Sequence, residues 1–326
     1  MNVYKVSVLV IFQSFVFLFW GMDFSREDPV FLKINAAEVK NVVFQSIDYG
    51  KSWQDISNGL PRNLENTELF VNQNGLFYYS EKEMYHRNTN VMAPGWKKEY
   101  AIDKLGNVSV CKSGMYAVTY GGKISKFDSK TNTWSPIFTN FDRSTLRTIF
   151  ETQNNTFLIG SDSGLFRSTD SGKTWKHVLE GWSIKMVEAQ GVLVATSQKG
   201  IIRSTDDGQT WKTVISEGGV GIDVAIINGG FAAISYNTTS KTRRVRTSYD
   251  AGKTWQAIDA GLPPHDLVAN VLQLDNYLFC GHPKGIYRSA DKGKSWTLIS
   301  PAIDDKVFNL YVSGKTIYAL PRAGGC

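Results

Sequence analysis

The chain has 326 residues, 42% of them apolar and 20% charged, with a formal net charge of +6. That composition sets it among globular proteins long enough to bury a sizeable core, and the charge is too mild for the dense basic patch of a nucleic-acid binder. Its three cysteines, Cys111, Cys280 and Cys326, form no metal or redox spacing, and an odd count argues against a full disulfide framework.

The first element is the N-terminal segment. A basic start, MNVYK, leads into an apolar run of 15 residues (6–20) that ends at the charged DFSRED. This pattern fits a secretory signal, and the run is short for a membrane-spanning helix. The nearest small-residue cleavage pattern, INAAE at 34–38, stands well behind the run. Two readings therefore stay open for residues 1–22, a cleaved signal or an uncleaved anchor. Residues 23–39 are the linker or the start of the mature chain. Both readings export the body, to the medium, a periplasm or the cell surface.

From residue 40 onward the chain is rich in Gly, Tyr and Trp, and no stretch has helical periodicity, which predicts short strands joined by tight turns. Tryptophan marks a repeat. Trp53, Trp96, Trp134, Trp175, Trp211, Trp255 and Trp296 are separated by 43, 38, 41, 36, 44 and 41 residues. A period near 40 residues is the size of one four-stranded propeller blade. Within 145–178, TLRTIFETQ, NTFLIGS, GLFRSTD and KTWKHV read as four successive strands, and 268–299 repeats them. Only KNVVFQS precedes the first marker, whereas two strands, KVFNLYVSG and KTIYALP, follow the last. Pairing the C-terminal inner strands with the N-terminal outer ones completes a seventh blade and removes the exposed edges. The predicted fold of 40–326 is all-β, a seven-bladed β-propeller of four-stranded antiparallel blades.

Five of the tryptophans close a motif Ser-x-Asp-x-Gly-x-Ser/Thr-Trp, while Trp134 ends a degenerate copy and Trp96 a nearly erased one. The motif resembles the Asp-box, or bacterial neuraminidase repeat, in which the box lies in the hairpin between the third and fourth strands, far from the axis. Asp48, Asp170, Asp206, Asp250 and Asp291 are expected to accept hydrogen bonds within their own turns. Gly50, Gly172, Gly208, Gly252 and Gly293 supply a conformation that side chains oppose, and Trp53, Trp175, Trp211, Trp255 and Trp296 pack against sheet. One Asp per loop is too few oxygens for calcium, and copies around a rim do not converge as a catalytic site must. Arg167, Arg203 and Arg288, each three residues before a box Asp, belong to the same template. The boxes are scaffold, with no metal and no cofactor implied.

A site is expected in what the repeat leaves unexplained, the loops that enter the inner strands. Trp182 is the one tryptophan outside the leader without a template role, suited to stacking on a sugar or to plugging a blade. Arg62, Arg143, Arg147 and Arg322 are candidates to meet a carboxylate or phosphate, against the alternative of solvated surface charge. His265 beside Asp266 is the one suggestive pair among the four histidines. The densest basic run, SKTRRVR at 240–246, reads either as an anion-binding surface or as a charged hairpin that resists edge pairing. Glycoside hydrolysis needs two carboxyls across a bond, and Asp103, Asp142, Glu180, Glu217, Asp223, Asp266, Asp304 and Asp305 all stand in these loops without selecting a pair.

Sialidases share the box, but their fold has six blades and an Arg-Ile-Pro segment that this chain lacks. Xyloglucan hydrolases pair two seven-bladed propellers. The GLFRSTD…GKTW cadence and the NGLP and AGLP turns are more similar to exported single propellers of the photosystem II assembly and stability factor type. That resemblance implies a binding scaffold rather than an enzyme, with a protein-binding top face. The chain as a whole reads as an exported non-enzymatic propeller that binds a protein or carbohydrate on its axial face, as a monomer or a subunit of a surface assembly. No nucleic acid is expected, and a membrane only through an uncleaved leader. The competing class is a divergent glycoside hydrolase using loop carboxylates.

Overall fold

The computed structural model describes residues 42–61, 67–72, 75–80, 83–89, 91, 94–99, 105–119, 121–128, 130–131, 133–137 and 145–322. The leader at 1–22, the linker at 23–39, Arg62, Arg143, Asp103, Asp142 and Cys326 lie outside them.

Among the described residues there are 28 strands and no helix. β1 (Phe44–Ser46) and β2 (Gln54–Asp55) come first. Blade 1 follows with β3 (Glu68–Asn72), β4 (Gly75–Tyr79), β5 (Met84–Arg87) and β6 (Trp96–Glu99). Blade 2 holds β7 (Leu105–Cys111), β8 (Gly114–Thr119), β9 (Ile124–Asp128) and β10 (Thr133–Ile137). Blade 3 is β11 (Leu146–Glu151), β12 (Phe157–Ser161), β13 (Gly164–Ser168) and β14 (Lys176–Glu180). Blade 4 is β15 (Met186–Ala189), β16 (Val192–Ser197), β17 (Gly200–Ser204) and β18 (Lys212–Ile215). Blade 5 is β19 (Gly218–Ile227), β20 (Gly230–Asn237), β21 (Thr242–Ser248) and β22 (Gln256–Ala257). Blade 6 is β23 (Val271–Leu274), β24 (Tyr277–His282), β25 (Gly285–Ser289) and β26 (Thr297–Pro301). The last strands are β27 (Val307–Ser313) and β28 (Thr316–Arg322).

The seventh sheet has the order β2-β1-β28-β27. Its closing register sets Phe44 opposite Ala319 and Ser46 opposite Ile317, so the ring closes by pairing the two ends of the chain as the strand arithmetic requires. Every other blade is an uninterrupted antiparallel meander.

Strand position within a blade explains composition. Second strands such as FLIGS in β12 and VLVATS in β16 are buried along their whole length, because neighbouring blades cover both faces. Outer strands such as KHVLE in β14 are mostly exposed, and their charges discourage edge pairing. The core is accordingly a ring of seven apolar clusters, each between adjacent blades. Leu158 and Leu165 of blade 3, for example, meet Met186, Leu193 and Ile202 of blade 4, with Trp211 against them.

A meander places its turns at two ends. The β11–β12 turn and the β13–β14 hairpin share one end, the box face. The β12–β13 turn and the segment running into β15 share the other, the loop face. Cys111 and Cys280, in blades 2 and 6, are free thiols.

Candidate functional site

On the box face, five loops repeat one hydrogen-bond pattern. In blade 3 the Ser168 hydroxyl donates to Asp170 Oδ1 at 2.7 Å and accepts from Gly172 N at 2.9 Å. Thr174 donates its N–H to Oδ1 at 2.9 Å and its hydroxyl to Oδ2 at 2.6 Å, and Trp175 Nε1 closes on the Gly172 carbonyl at 3.0 Å. The turn needs two successive left-handed residues, Ser171 (φ 61°) and Gly172 (φ 85°), which explains the glycine. Asp48, Asp206, Asp250 and Asp291 hold the same carboxylate contacts, and the Trp211 and Trp255 indoles close on their glycine carbonyls likewise, whereas Trp296 Nε1 donates to the Ile258 carbonyl. Donors from Thr174 and Ser168 pull the Asp170 carboxyl down to about 2. Every oxygen of these carboxylates is occupied inside its own loop.

The template arginines tie three of the boxes to the blade before them. Arg167 Nε donates to the Asp207 carbonyl at 2.8 Å, Arg203 Nε to that of Ala251 at 2.6 Å, and Arg288 to that of Tyr49 at 2.9 Å. Each acceptor is the residue between the box Asp and Gly of the next blade.

The loop face carries the irregular chemistry. Its buried charges are paired, as burial demands. Asp223, 3% exposed, accepts from Lys185 Nζ at 2.5 Å and from Val271 N at 3.0 Å, linking blades 4, 5 and 6. Arg246 binds both oxygens of Glu217 at 2.9 and 2.5 Å, and Ser235 and Asn237 complete the carboxylate's partners. Arg244 binds Asp259 in the same bidentate way at 2.6 and 3.1 Å, an attachment that raises the arginine's pKa. Arg243 donates to the Val268 carbonyl at 2.9 Å. Two of the run's four cations, Arg244 and Arg246, are therefore held in ion pairs within the fold.

The other candidates are spread around the ring. Arg147, opening blade 3, pairs with Asp162 at 2.6 Å, both half-exposed. Arg322, in the closing blade, pairs with Glu68 of blade 1 at 2.7 Å, and Tyr311 donates to the same carboxylate at 3.0 Å. His265 precedes blade 6. Its Nδ1 lies 3.1 Å from Leu267 N, from which it accepts as a bare nitrogen, and 2.9 Å from Asp266 Oδ1, to which it donates only as the Nδ1–H form. His282, wholly buried beside it, uses both ring nitrogens, on Lys284 N and the Pro263 carbonyl, and burial lowers its pKa. No group of three metal-ligating side chains occurs among the described residues.

Trp182 lies in the segment between blades 3 and 4, half-buried. Its neighbour Ser183 is completely buried, and a Cβ on Gly160 would lie 2.0 Å from the Ser183 carbonyl, so this segment is pressed onto β12. Trp182 and Ile184 flank that inward residue, and Ile184 is 42% exposed. The loop face thus carries a partly exposed aromatic and an exposed aliphatic side chain next to Lys185, in the segment that leaves the blade of Arg147.

The interblade pairs Lys185–Asp223 and Arg167–Asp207 were not singled out in the sequence. Their separations, 38 and 40 residues, equal one blade period, the signal that would have found them.

Comparison with known proteins agrees with this architecture. Residues 165–178 match the BNR-Asp box repeat. No curated protein matches the sequence. Among solved structures, an ancestral GH74 enzyme superposes with a TM-score of 0.57 at 16% identity, over 81% of this chain and 40% of that one. The extracellular domain of BT4673 from B. thetaiotaomicron gives 0.60 at 12% identity, over 77% of this chain and 36% of that one. YCF48 bound to D1 peptide gives 0.56 at 13% identity, over 80% of this chain and 95% of that one. The chain spans about two fifths of the first two structures. It is a seven-bladed β-propeller carrying the BNR-Asp box repeat, similar in fold to binding and enzymatic propellers alike.

Proposed function

We propose that the protein is an exported binding scaffold that recognises a protein or carbohydrate on its loop face, with Trp182 as the anchor. The observation that carries this reading is the partial exposure of Trp182 beside the exposed Ile184, on either side of the buried Ser183. A half-buried aromatic loses little freedom on binding and offers a large contact area, which suits it to an interface centre or to a sugar face. Export rests on the N-terminal signature and accords with the extracellular domain among the similar folds. YCF48 holds a peptide on a propeller of this size, which favours a peptide-bearing partner.

The hydrolase alternative needs two available carboxyls. Glu217 and Asp223 are committed to Arg246 and Lys185, while Glu180, Asp304 and Asp305 are exposed. The discriminating experiment is product-detecting hydrolysis by the protein lacking residues 1–22, across sialosides and plant and microbial polysaccharides. The scaffold reading expects no product from folded protein. A defined sugar released by the wild type but not by Glu180→Gln or Asp305→Asn would overturn it.

A further inference from the structure

The blade boundaries do not all keep the template. At three boundaries an arginine of the third strand reaches the next blade's box carbonyl. Between blades 2 and 3 the equivalent residue is Lys126, eight residues before Trp134 as Arg167 is before Trp175. Its ammonium stands 5.4 Å from the centroid of the Tyr116 ring instead of bridging to blade 3. The box of blade 3 also stands off its neighbour. A Cβ on Gly208 would meet Leu158 of the preceding blade at 2.9 Å, one on Gly252 would meet Val194 at 3.3 Å, and one on Gly172 meets only its own Trp175.

What remains at that boundary is a cavity of about 530 Å³, walled by Tyr116, Ile124, Ile149, Phe157 and Trp175. This volume lies within the range of small-molecule sites. Its charged lining residues are Lys126 and Glu151. Glu151 already accepts from Ser113 N at 2.6 Å, whereas Lys126 makes no ion pair among the described residues. A cation held over an aromatic ring but in no ion pair, beside low-dielectric walls, attracts an anion more strongly than one in water would.

We propose that this cleft between blades 2 and 3 is a binding site for a small amphiphile with a flat apolar body and one carboxylate. The body lies among Trp175, Phe157 and Ile149, and the carboxylate meets the Lys126 ammonium. The site is independent of loop-face recognition, since it opens among box-face residues.

The test is calorimetric titration of the full chain with 1-naphthoate and with neutral 1-naphthamide, each against wild type and Lys126→Met, with melting temperatures measured in parallel. The expected result is saturable naphthoate binding that Lys126→Met weakens at least about tenfold, while amide affinity stays within about twofold. Should Lys126→Met not fold, Lys126→Gln serves the same comparison. Absence of saturable naphthoate binding would overturn the proposal. So would naphthoate affinity that is unchanged in the folded variant, or equal loss of both probes.

Discussion

Arg167→Met isolates what the template arginine contributes. Arg167 holds the Asp207 carbonyl at 2.8 Å and the Asp207 carboxylate at 2.9 Å, and the two side chains are only 14% and 17% exposed. Thr156 donates to the same carboxylate. Removing the arginine strands a mostly buried charge, for which about 3–5 kcal/mol is typical, and the residual exposure here sets the expectation near 3 kcal/mol. Adding Asp207→Asn removes the stranded charge while keeping a residue that tolerates its left-handed backbone (φ 59°). The double variant should regain about half of the loss. Urea unfolding at neutral pH, followed by tryptophan fluorescence, measures both. A loss below about 1 kcal/mol for Arg167→Met, or a double variant no more stable than the single, would refute the reasoning.

Four further outcomes follow from the geometry. Lys126→Arg restores the template residue at the open boundary and should raise stability by about 1 kcal/mol, read as a higher urea midpoint. An Ala at Gly293, where a Cβ would lie 2.6 Å from the Ile258 Cβ, should lower the melting temperature more than an Ala at Gly172, which meets only Trp175; equal losses would contradict the packing difference. Hydroxyl and N–H donors from Thr174 and Ser295 hold the Asp170 and Asp291 carboxyls at about 2, below the unfolded value of about 3.9. That depression contributes stability fully above about pH 4 and loses it as pH falls through about 2, so melting temperature should drop across this window and less so in Asp170→Asn. Burial drives the Cys280 thiol far up and the Cys111 thiol to about 12. In a Cys326→Ser background, Ellman's reagent should therefore leave native Cys280 untouched until denaturant is added.

The fold was legible because its signals are local and repeated. Each box fixes one hairpin through contacts no more than four residues apart, and the tryptophans count the hairpins. Blades 1 and 2 lack the full box, and there Trp96 and Trp134 sit inside β6 and β10 rather than before the outer strand. The loop face was less legible because its pairs join different blades. Arg322 meets Glu68 across 254 residues of sequence, and nothing local announces that ring closure brings them together. SKTRRVR reads as four free positive charges until the fold brings Glu217 and Asp259 against Arg246 and Arg244. Trp182 stood out in the sequence only by exception from the template, and exception does not name a ligand.

The division of labour between the two faces is the central claim, and one paired measurement tests it. An array of glycans and peptides is probed with wild type, Trp182→Ala and Asp170→Asn, with the melting temperature of each protein recorded. The account predicts that Trp182→Ala abolishes binding to the retained ligand with its melting temperature unchanged, while Asp170→Asn melts earlier yet binds normally when folded. Binding that survives in Trp182→Ala but is lost in folded Asp170→Asn would contradict it and move the functional surface to the box face.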